Sequence, residues 1–267
     1  MKRLHIAVAT LFLFLTPVTV LAWGNEGHQM IVNMAFSLLS PAAKQKMLMY
    51  LGGRRLNDAA VWMDSVRSHK VAPYGYMDNW HFVNIEEGQS YNDVQSMDDV
   101  VFNLEKVIQE LPNYASLPAD SVKLDLLKLL HMIGDITQPL HCGYKHDRGG
   151  NYVKVHTQIG DFDGNDLHKV WDGEIIHAGH INIQTSMHYY QSLSPAQVSA
   201  IQSGSTLDWA MQARSYLKNK VYNFTLAGHG TSQLSTQYLT ANAPIVQQQL
   251  VYAAIRLANI LEKSFGS

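Results

Sequence analysis

The sequence has one cysteine, Cys142, so no intrachain disulfide can form. It also lacks an excess of positive charge, because 20 Lys and Arg residues stand against 22 Asp and Glu residues and the formal net charge is −2. Proteins that hold nucleic acid by charge alone carry a basic surface, and this composition does not provide one. If the substrate is a polyanion, bound cations must supply the attraction.

The N-terminus has the pattern of a secretory signal peptide, which we predict over residues 1–22. Two basic residues precede an apolar stretch, and Val20-Leu21-Ala22 resembles a small-residue cleavage site. An uncleaved membrane anchor is the alternative, but the stretch is short for a span of about 20 residues and Pro17 interrupts it. Cleavage would leave a secreted or periplasmic protein that starts at Trp23 and has no membrane span.

The mature chain, residues 23–267, is predicted to be one mostly α-helical domain, because it has no internal repeat and no serine- or glycine-rich linker. Apolar residues recur at helical spacing in His28–Leu39 and around residues 246–261. Ser40-Pro41 is typical of a helix start, and Gly52-Gly53 of a helix end. The other predicted elements are helices over Leu56–Val66, from an N-cap at Ser96 to Leu111, after an N-cap at Asp120 and again from Asp166, with a short strand in Tyr152–Thr157.

Histidine and aspartate recur at a spacing that suits metal binding. His131 and Asp135 are four residues apart, as are His168 and Asp172, and a helix places such pairs on one face. His141 lies between the two pairs. Imidazole nitrogens and carboxylate oxygens are the ligands of zinc in hydrolytic sites. A single pair would more often be a surface pair or a core histidine, but two pairs and a further histidine predict more than one metal ion.

Further candidate donors precede this segment. Cleavage before Trp23 would expose an amine nitrogen that can chelate a metal together with the carbonyl oxygen, and His28 follows five residues later. Asp64 and His81 offer the same donor atoms. Cys142 follows a candidate histidine and is a possible ligand, although a buried thiol is the more common use of a lone cysteine.

Six motifs follow one another along the mature chain. They are WGNEGH at 23–28, WMDSVR at 62–67, WHFVN at 80–84, HMIGDITQPLH at 131–141, DRGGN at 147–151 and NDLHKVWD at 165–172. In this order they closely resemble the zinc-dependent, single-strand-specific nucleases of the S1 and P1 type. The resemblance implies a single-domain helical bundle, of the fold shared with zinc phospholipases C, with three Zn²⁺ ions in a cleft.

The resemblance also implies how three zinc ions are held and used. Two ions sharing a water would yield hydroxide at neutral pH, and a third would stabilise the departing oxygen at phosphorus. In the family, the residues that match Asp64 and Arg67 are regarded as catalytic. Arg67 would bind the phosphate. The alternative is that Arg67 is a solvated surface arginine. The implied ligand sets are Asp64, His81, His131 and Asp135 for a buried ion, Trp23, His28 and Asp135 for a second, and His141, His168 and Asp172 for a third.

A substrate site is implied as well. Phe82 would stack against a base, Asn84 would hydrogen-bond its edge, and Asn151 would line the cleft, although an asparagine that forms a turn is nearly as frequent. A base must be unstacked to enter such a slot, which favours single strands. The implied activity is endonucleolytic cleavage of single-stranded DNA and RNA to 5′-phosphate products, with removal of 3′-phosphates from nucleotides, by a monomer.

Two alternatives remain open at this point. A zinc phospholipase C of the same fold would typically carry glutamate where this chain has Asp172. A non-catalytic periplasmic zinc-binding protein would need neither an arginine at the phosphate nor an aromatic platform for a base. Asp172 and Arg67 therefore favour the nuclease over the phospholipase, and Arg67 and Phe82 favour it over the zinc-binding protein.

Overall fold

The protein is described here by a computed structural model, which covers residues 23–157, 166–228 and 230–266. The predicted signal peptide and Ser267 lie outside these residues. The described chain is mostly α-helical. Its α-helices are α1 (Gly24–Leu38), α2 (Pro41–Leu51), α3 (Leu56–Ala60), α4 (Trp62–Ser68), α5 (Val100–Glu110), α6 (Ala119–Asp135), α7 (Leu167–Lys169), α8 (Ile175–Ala178), α9 (Ile183–Ser192), α10 (Pro195–Gln202), α11 (Thr206–Arg214) and α12 (Thr236–Phe265).

Within the described residues, short turns of other helical types and one small sheet complete the secondary structure. The strands β1 (Val155–Thr157) and β2 (Ser232–Leu234) pair in parallel, with Val155 opposite Ser232. The strand predicted in Tyr152–Thr157 is therefore present but begins later. The remaining turns are 3₁₀-helices at Tyr74–Met77, Tyr91–Asp93, Leu111–Ser116 and Pro139–Cys142 and π-helical turns at Val170–Glu174 and Leu217–Val221.

The 30-residue helix α12 is the main support of the bundle, and it contacts α1, α2, α6, α8, α9 and α10. Leu250, Leu257 and Leu261 on this helix are fully buried. Their spacing matches the apolar pattern predicted for residues 246–261, and their burial against several helices stabilises α12 far more than its intrinsic propensity does.

Helix α6 runs through the interior and delivers two candidate ligands at its C-terminal end. Its last turns are buried on every side, and it packs against α1, α2, α3 and α5. Gly134 lets α6 approach α1 closely, because a Cβ atom there would lie only 2.7 Å from Nδ1 of His28. The helix ends at Asp135, and a 3₁₀-turn over Pro139–Cys142 carries the chain onward to His141.

Some predicted helix boundaries are confirmed and others are wrong. Ser40 caps α2 by accepting a hydrogen bond from the backbone N–H of Ala43, as expected. The N-cap of α5 is Asp99, however, and the backbone N–H of Ser96 donates to its carboxylate. Asp120 lies inside the first turn of α6 and is not its N-cap. A carboxylate in this position interacts favourably with the positive end of the helix dipole.

The helix predicted over Leu56–Val66 is two helices, because Val61 leaves helical geometry with φ −108° and ψ 11°. The break falls just before Trp62-Met63-Asp64, so Asp64 lies in the first turn of α4. No helix within the described ranges is long and apolar enough to cross a lipid bilayer.

Candidate metal centre and substrate cleft

Eight of the predicted ligand side chains meet in the interior, and each is at most 4% exposed. They form three groups, within each of which the potential ligand atoms lie within 4.8 Å of one another. The groups are His28, His131 and Asp135; Asp64, His81 and His131; and His141, His168 and Asp172. The fold therefore brings together donors that are far apart in the sequence, on helices α1, α4, α6 and α7 and the turns beside them.

Asp135 lies between the first two groups. One carboxylate oxygen, Oδ1, is 3.3 Å from Nε2 of His28, and the other, Oδ2, is 3.1 Å from Nδ1 of His81 and 3.3 Å from Nε2 of His131. Nδ1 of His141 is 3.7 Å from Oδ1. A carboxylate whose two oxygens face different histidines can bind two ions at once, which is the bridging role that the resemblance implies.

The polar atoms of these groups fit bound metal ions. Burying a polar atom without a partner costs about 1–3 kcal/mol, so such atoms normally have one. The donors are imidazole nitrogens and carboxylate oxygens, which zinc prefers in hydrolytic sites. Within the described residues, the buried atoms of these groups that lack a hydrogen bond are Nδ1 and Nε2 of His28, both carboxylate oxygens of Asp64, Nε2 of His81, Oδ1 of Asp135 and Oδ2 of Asp172.

Backbone carbonyls orient three of the histidines. Nδ1 of His131 donates to the carbonyl of Ala60 at 2.9 Å, Nδ1 of His141 to that of His81 at 2.5 Å, and Nδ1 of His168 to that of Gly149 at 2.6 Å. In a neutral imidazole such a bond places the proton on Nδ1, so Nε2 has a lone pair available for a metal. In the third group the Nε2 atoms of His141 and His168 lie only 3.1 Å apart, so they converge on the same place.

Burial and neighbouring charges shift the pKa values of these groups. Burial lowers the pKa of His141 to about 3, which keeps this imidazole neutral. Burial alone would raise the pKa of Asp135, but the surrounding histidines outweigh it and hold that pKa well below its usual value. Neutral imidazole and ionised carboxylate are the forms that bind metal. Burial raises the pKa of Asp172, and a cation bound beside this carboxylate would favour its ionised form.

Trp23 lies beside the first group but acts differently from the other candidates. Its buried indole N–H donates to Oγ1 of Thr137 at 3.3 Å, two residues after Asp135. The backbone of Trp23 directly precedes α1, which carries His28. Metal binding through its amine requires cleavage after Ala22 and stays a prediction.

Gln138 is a residue that the sequence reasoning missed. Its fully buried amide Nε2 donates to Oδ1 of Asp172 at 2.6 Å, and its Oε1 accepts from the backbone N–H of Leu140 at 2.5 Å. The side chain therefore ties the 3₁₀-turn that carries His141 to the π-helical turn that carries Asp172. Its position within the motif HMIGDITQPLH is the one sequence feature that points to it. That feature is weak, because the neighbouring residues do not indicate that the side-chain amide before Pro139 is buried.

Cys142 is a buried thiol and does not belong to any of the three groups. Burial raises its pKa to about 12, and its Sγ lies 3.9 Å from the carbonyl oxygen of Ile136. The structure therefore favours the packing interpretation over the ligand interpretation.

A cleft with a volume of about 440 Å³ opens beside the third group. The predicted substrate residues all line it, together with two candidate ligands and three cationic or aromatic residues that were not predicted. The guanidinium carbon of Arg67 is 5.9 Å from the centroid of the Phe82 ring. The lining includes Arg67, Phe82, Asn84, Asn151, His141, His168, Arg148, Tyr152 and Lys154.

Asn151 combines the two roles considered from the sequence. Its side chain lines the cleft, and its Nδ2 also donates to the carbonyl of Arg148 at 2.7 Å, which stabilises the turn. Its contact with substrate stays a prediction, as do those of Phe82 and Asn84.

Comparison with known proteins identifies this arrangement. A family model described as S1/P1 nuclease matches residues 23–266, which span all the described residues. The chain belongs to the S1/P1 nuclease family. Similar proteins include Endonuclease 2 of Arabidopsis thaliana, 25% identical over 99% of both chains, and Nuclease S1 of Aspergillus oryzae, 25% identical over 98% of this chain and 97% of that one. Nuclease P1 of Penicillium citrinum is 25% identical over 92% of this chain and 98% of its own.

Membership in the S1/P1 nuclease family confirms the predicted family and the mostly α fold class. The protein is thus an enzyme of a nuclease family, with nucleic acid as its substrate class and three His/Asp groups able to hold metal. The match favours this assignment over the phospholipase and the non-catalytic zinc-binding protein.

Proposed function

We propose that the protein is an exported, zinc-dependent nuclease that hydrolyses phosphodiester bonds of single-stranded DNA and RNA. It leaves 5′-phosphate ends and also removes 3′-phosphates from nucleotides. One observation carries the proposal: three groups of buried His and Asp side chains converge beside a cleft that also presents Arg67 and Phe82. We assign this activity to a single domain over residues 23–267.

The donor sets support three zinc ions. When bound, zinc ions would lower the pKa of water and neutralise the charge that develops on the phosphate and the leaving oxygen. Only nitrogen and oxygen donors are present in the three groups, and Asp135 is shaped to serve two ions. The proposed ligands are Asp64, His81, His131 and Asp135 for one ion, Trp23, His28 and Asp135 for the second, and His141, His168 and Asp172 for the third.

Arg67 would bind the scissile phosphate. Helix α4 carries Asp64 and Arg67 three residues apart, so the carboxylate can face the metal groups while the guanidinium reaches the cleft. Oδ1 of Asp64 is 3.5 Å from Nε2 of His131. The planar guanidinium can donate two parallel, charge-assisted hydrogen bonds to phosphate oxygens, and these strengthen as negative charge accumulates.

The Phe82 ring and the Asn84 amide would hold a base. Both are half-buried at the cleft wall, so each has one face in the protein and one toward the substrate. Stacking on Phe82 tolerates any base, because every base has a π-face, and little sequence preference follows. A duplex must first unstack and unpair a base to enter the slot, which makes single strands the better substrates.

The test is zinc content and hydrolysis measured on one correctly processed sample. We expect about three zinc ions per chain and faster cleavage of single-stranded DNA and RNA than of duplex DNA. Asp64→Asn should lower both zinc content and activity, and Arg67→Ala should lower kcat about 10²- to 10³-fold with zinc retained. The matched control is Asp58→Asn on the neighbouring α3, which removes a surface carboxylate that pairs with Arg55.

Two other outcomes would replace the proposal. Hydrolysis of phosphatidylcholine without cleavage of nucleic acid would assign the phospholipase activity. Zinc at full content without turnover of any of these substrates would assign a metal-binding role.

Export and monomeric state are parts of the proposal with their own measurements. N-terminal sequencing of the exported protein should begin at Trp23, since the amine of this residue is a proposed ligand. Light scattering of the processed protein should give the molar mass of one chain.

A further inference from the structure

We propose that Arg148, Tyr152 and Lys154 form a second nucleotide subsite, which binds the nucleotide next to the one stacked on Phe82. This inference rests on the proposed function, because the ligand is the same single strand. The three residues line the cleft already described, and the sequence motifs assigned none of them a role. Their chemistry suits one more nucleotide: an aromatic ring for a base and two cations for phosphate.

The backbone at Arg148 is held in a conformation that residues with a side chain rarely adopt. Arg148, Gly149 and Gly150 have φ values of 53°, 61° and 80°, three consecutive left-handed residues. Glycine is required at Gly149, because a Cβ there would lie 2.3 Å from the carbonyl oxygen of Leu140. Arg148 has a Cβ atom, so its left-handed backbone is strained. Strained residues concentrate at functional sites.

Contacts on both sides fix this loop to the metal centre. The buried carboxylate of Asp147 accepts hydrogen bonds from the backbone N–H of Gly150 at 3.0 Å and from the hydroxyl of Tyr222. The carbonyl of Gly149 accepts from Nδ1 of His168 at 2.6 Å. The direction of the Arg148 side chain is thereby set relative to a proposed zinc ligand.

The side chains of Arg148 and Tyr152 form one unit at the cleft wall. Nη1 of Arg148 donates to the hydroxyl of Tyr152 at 3.1 Å, and its guanidinium carbon is 5.5 Å from the ring centroid. The tyrosine is nevertheless 61% exposed, so most of its ring remains open to a ligand. An exposed aromatic ring with an arginine against it is the composition of a stacking platform for single strands.

The cleft therefore contains two platforms of the same design. Arg67 lies 5.9 Å from the Phe82 ring centroid, and Arg148 lies 5.5 Å from that of Tyr152. The loop and the Phe82 segment are close, since a Cβ on Gly149 would lie 3.6 Å from Oδ1 of Asn84. A mononucleotide can occupy only one platform, whereas a strand presents a base to each.

The charge at the cleft agrees with a second phosphate contact. Arg148 and Lys154 are both exposed in the lining of the cleft, in a chain whose formal net charge is −2. The carboxylate of Asp166, which also lines the cleft, caps α7 through the backbone N–H of Lys169 and lies 3.7 Å from Nζ of that lysine. Its negative charge is thus partly offset, and the wall is cationic.

The test compares a single-stranded octathymidylate with thymidine 3′-phosphate, using the zinc-loaded protein. We expect Tyr152→Ala and Arg148→Gly to raise the ratio of the oligonucleotide KM to the mononucleotide KM about tenfold, the loss of one stacked base. Arg148→Gly is chosen because glycine accepts the left-handed backbone, so the loop should keep its shape. The matched control, Arg55→Ala, removes an exposed arginine outside the cleft and should leave the ratio unchanged.

The outcomes separate the two proposals. Wild-type protein that hydrolyses neither compound would refute the proposed function, and the subsite with it. Wild-type protein that hydrolyses both, with a ratio unchanged in Tyr152→Ala and Arg148→Gly, would refute the subsite alone. An equal rise of both KM values would also refute it, because it would mean that the loop only supports His168.

Discussion

Replacing Gly134 by alanine tests whether packing positions the first metal group. This glycine lies between His131 and Asp135 in the last turn of α6, and an added Cβ would be 2.7 Å from Nδ1 of His28 and 2.8 Å from its Cε1. Ordinary contact begins at 3.4 Å, so the ring would have to move by about 0.7 Å. Zinc–ligand distances vary by only about 0.2 Å, so His28 could not move so far and remain a good ligand.

Two opposing effects decide the stability of Gly134→Ala. Alanine favours the helix by about 1 kcal/mol, whereas overpacking a buried site costs about 1–3 kcal/mol. The metal-free protein should therefore lose at most about 2 kcal/mol, or about 6 °C in Tm for a domain of this size. The zinc-loaded protein should lose more stability. A zinc ion whose free concentration is a thousand times its Kd stabilises the native state by about 4 kcal/mol, and the variant would lose this contribution.

The assay is the melting temperature with zinc and with chelator, together with zinc content. We expect about one zinc ion fewer and a larger fall in Tm with zinc than with chelator. Gly75→Ala is the control, because a Cβ at Gly75 meets no atom within 4 Å. Full zinc content and an unchanged Tm in Gly134→Ala would refute the view that this close contact positions His28.

Three further predictions concern the metals and the thiol. Chelation should lower the Tm of the wild type by about 10 °C or more, since one tightly held ion contributes about 4 kcal/mol, and an unchanged curve after verified zinc removal would contradict this. Asp135→Asn should lose about two zinc ions and Asp172→Asn about one by elemental analysis, because the Asp135 carboxylate faces histidines of two groups and Asp172 belongs to one; equal losses would argue against a shared carboxylate. Cys142 is fully buried, so a thiol reagent should modify it in guanidinium but not in native protein, and rapid native labelling would show that the site opens.

The ligand pairs could be predicted because helix geometry is local. His131 and Asp135 are four residues apart on α6, and their side chains meet at 3.3 Å between Nε2 and Oδ2. His168 and Asp172 meet at 3.6 Å even though Asp172 lies in a π-helical turn. A spacing of four brings two side chains together in either helical form, so this part of the site depends little on the rest of the fold.

Other features could not be predicted because they depend on distant parts of the chain. Gln138 is a positioning residue only because Asp172, 34 residues later, accepts its hydrogen bond. The left-handed backbone of Arg148 depends on Asp147, which Tyr222 holds from 75 residues away. Neither contact produces a periodic pattern in the sequence. Both depend on tertiary packing, which the local sequence does not determine.

A protein with a slightly negative net charge can act on a polyanionic substrate if its positive charges are concentrated at the site where the substrate binds. Arg67, Arg148 and Lys154 lie in one cleft of a chain whose formal net charge is −2. Beside them, each proposed zinc ion would add two positive charges where Asp64 and Asp135 are buried among histidines. A protein built in this way need not attract nucleic acid over its whole surface, because its attraction is concentrated where a phosphate must be held and attacked. The absence of a basic surface therefore excludes binding by charge alone without excluding catalysis on nucleic acid.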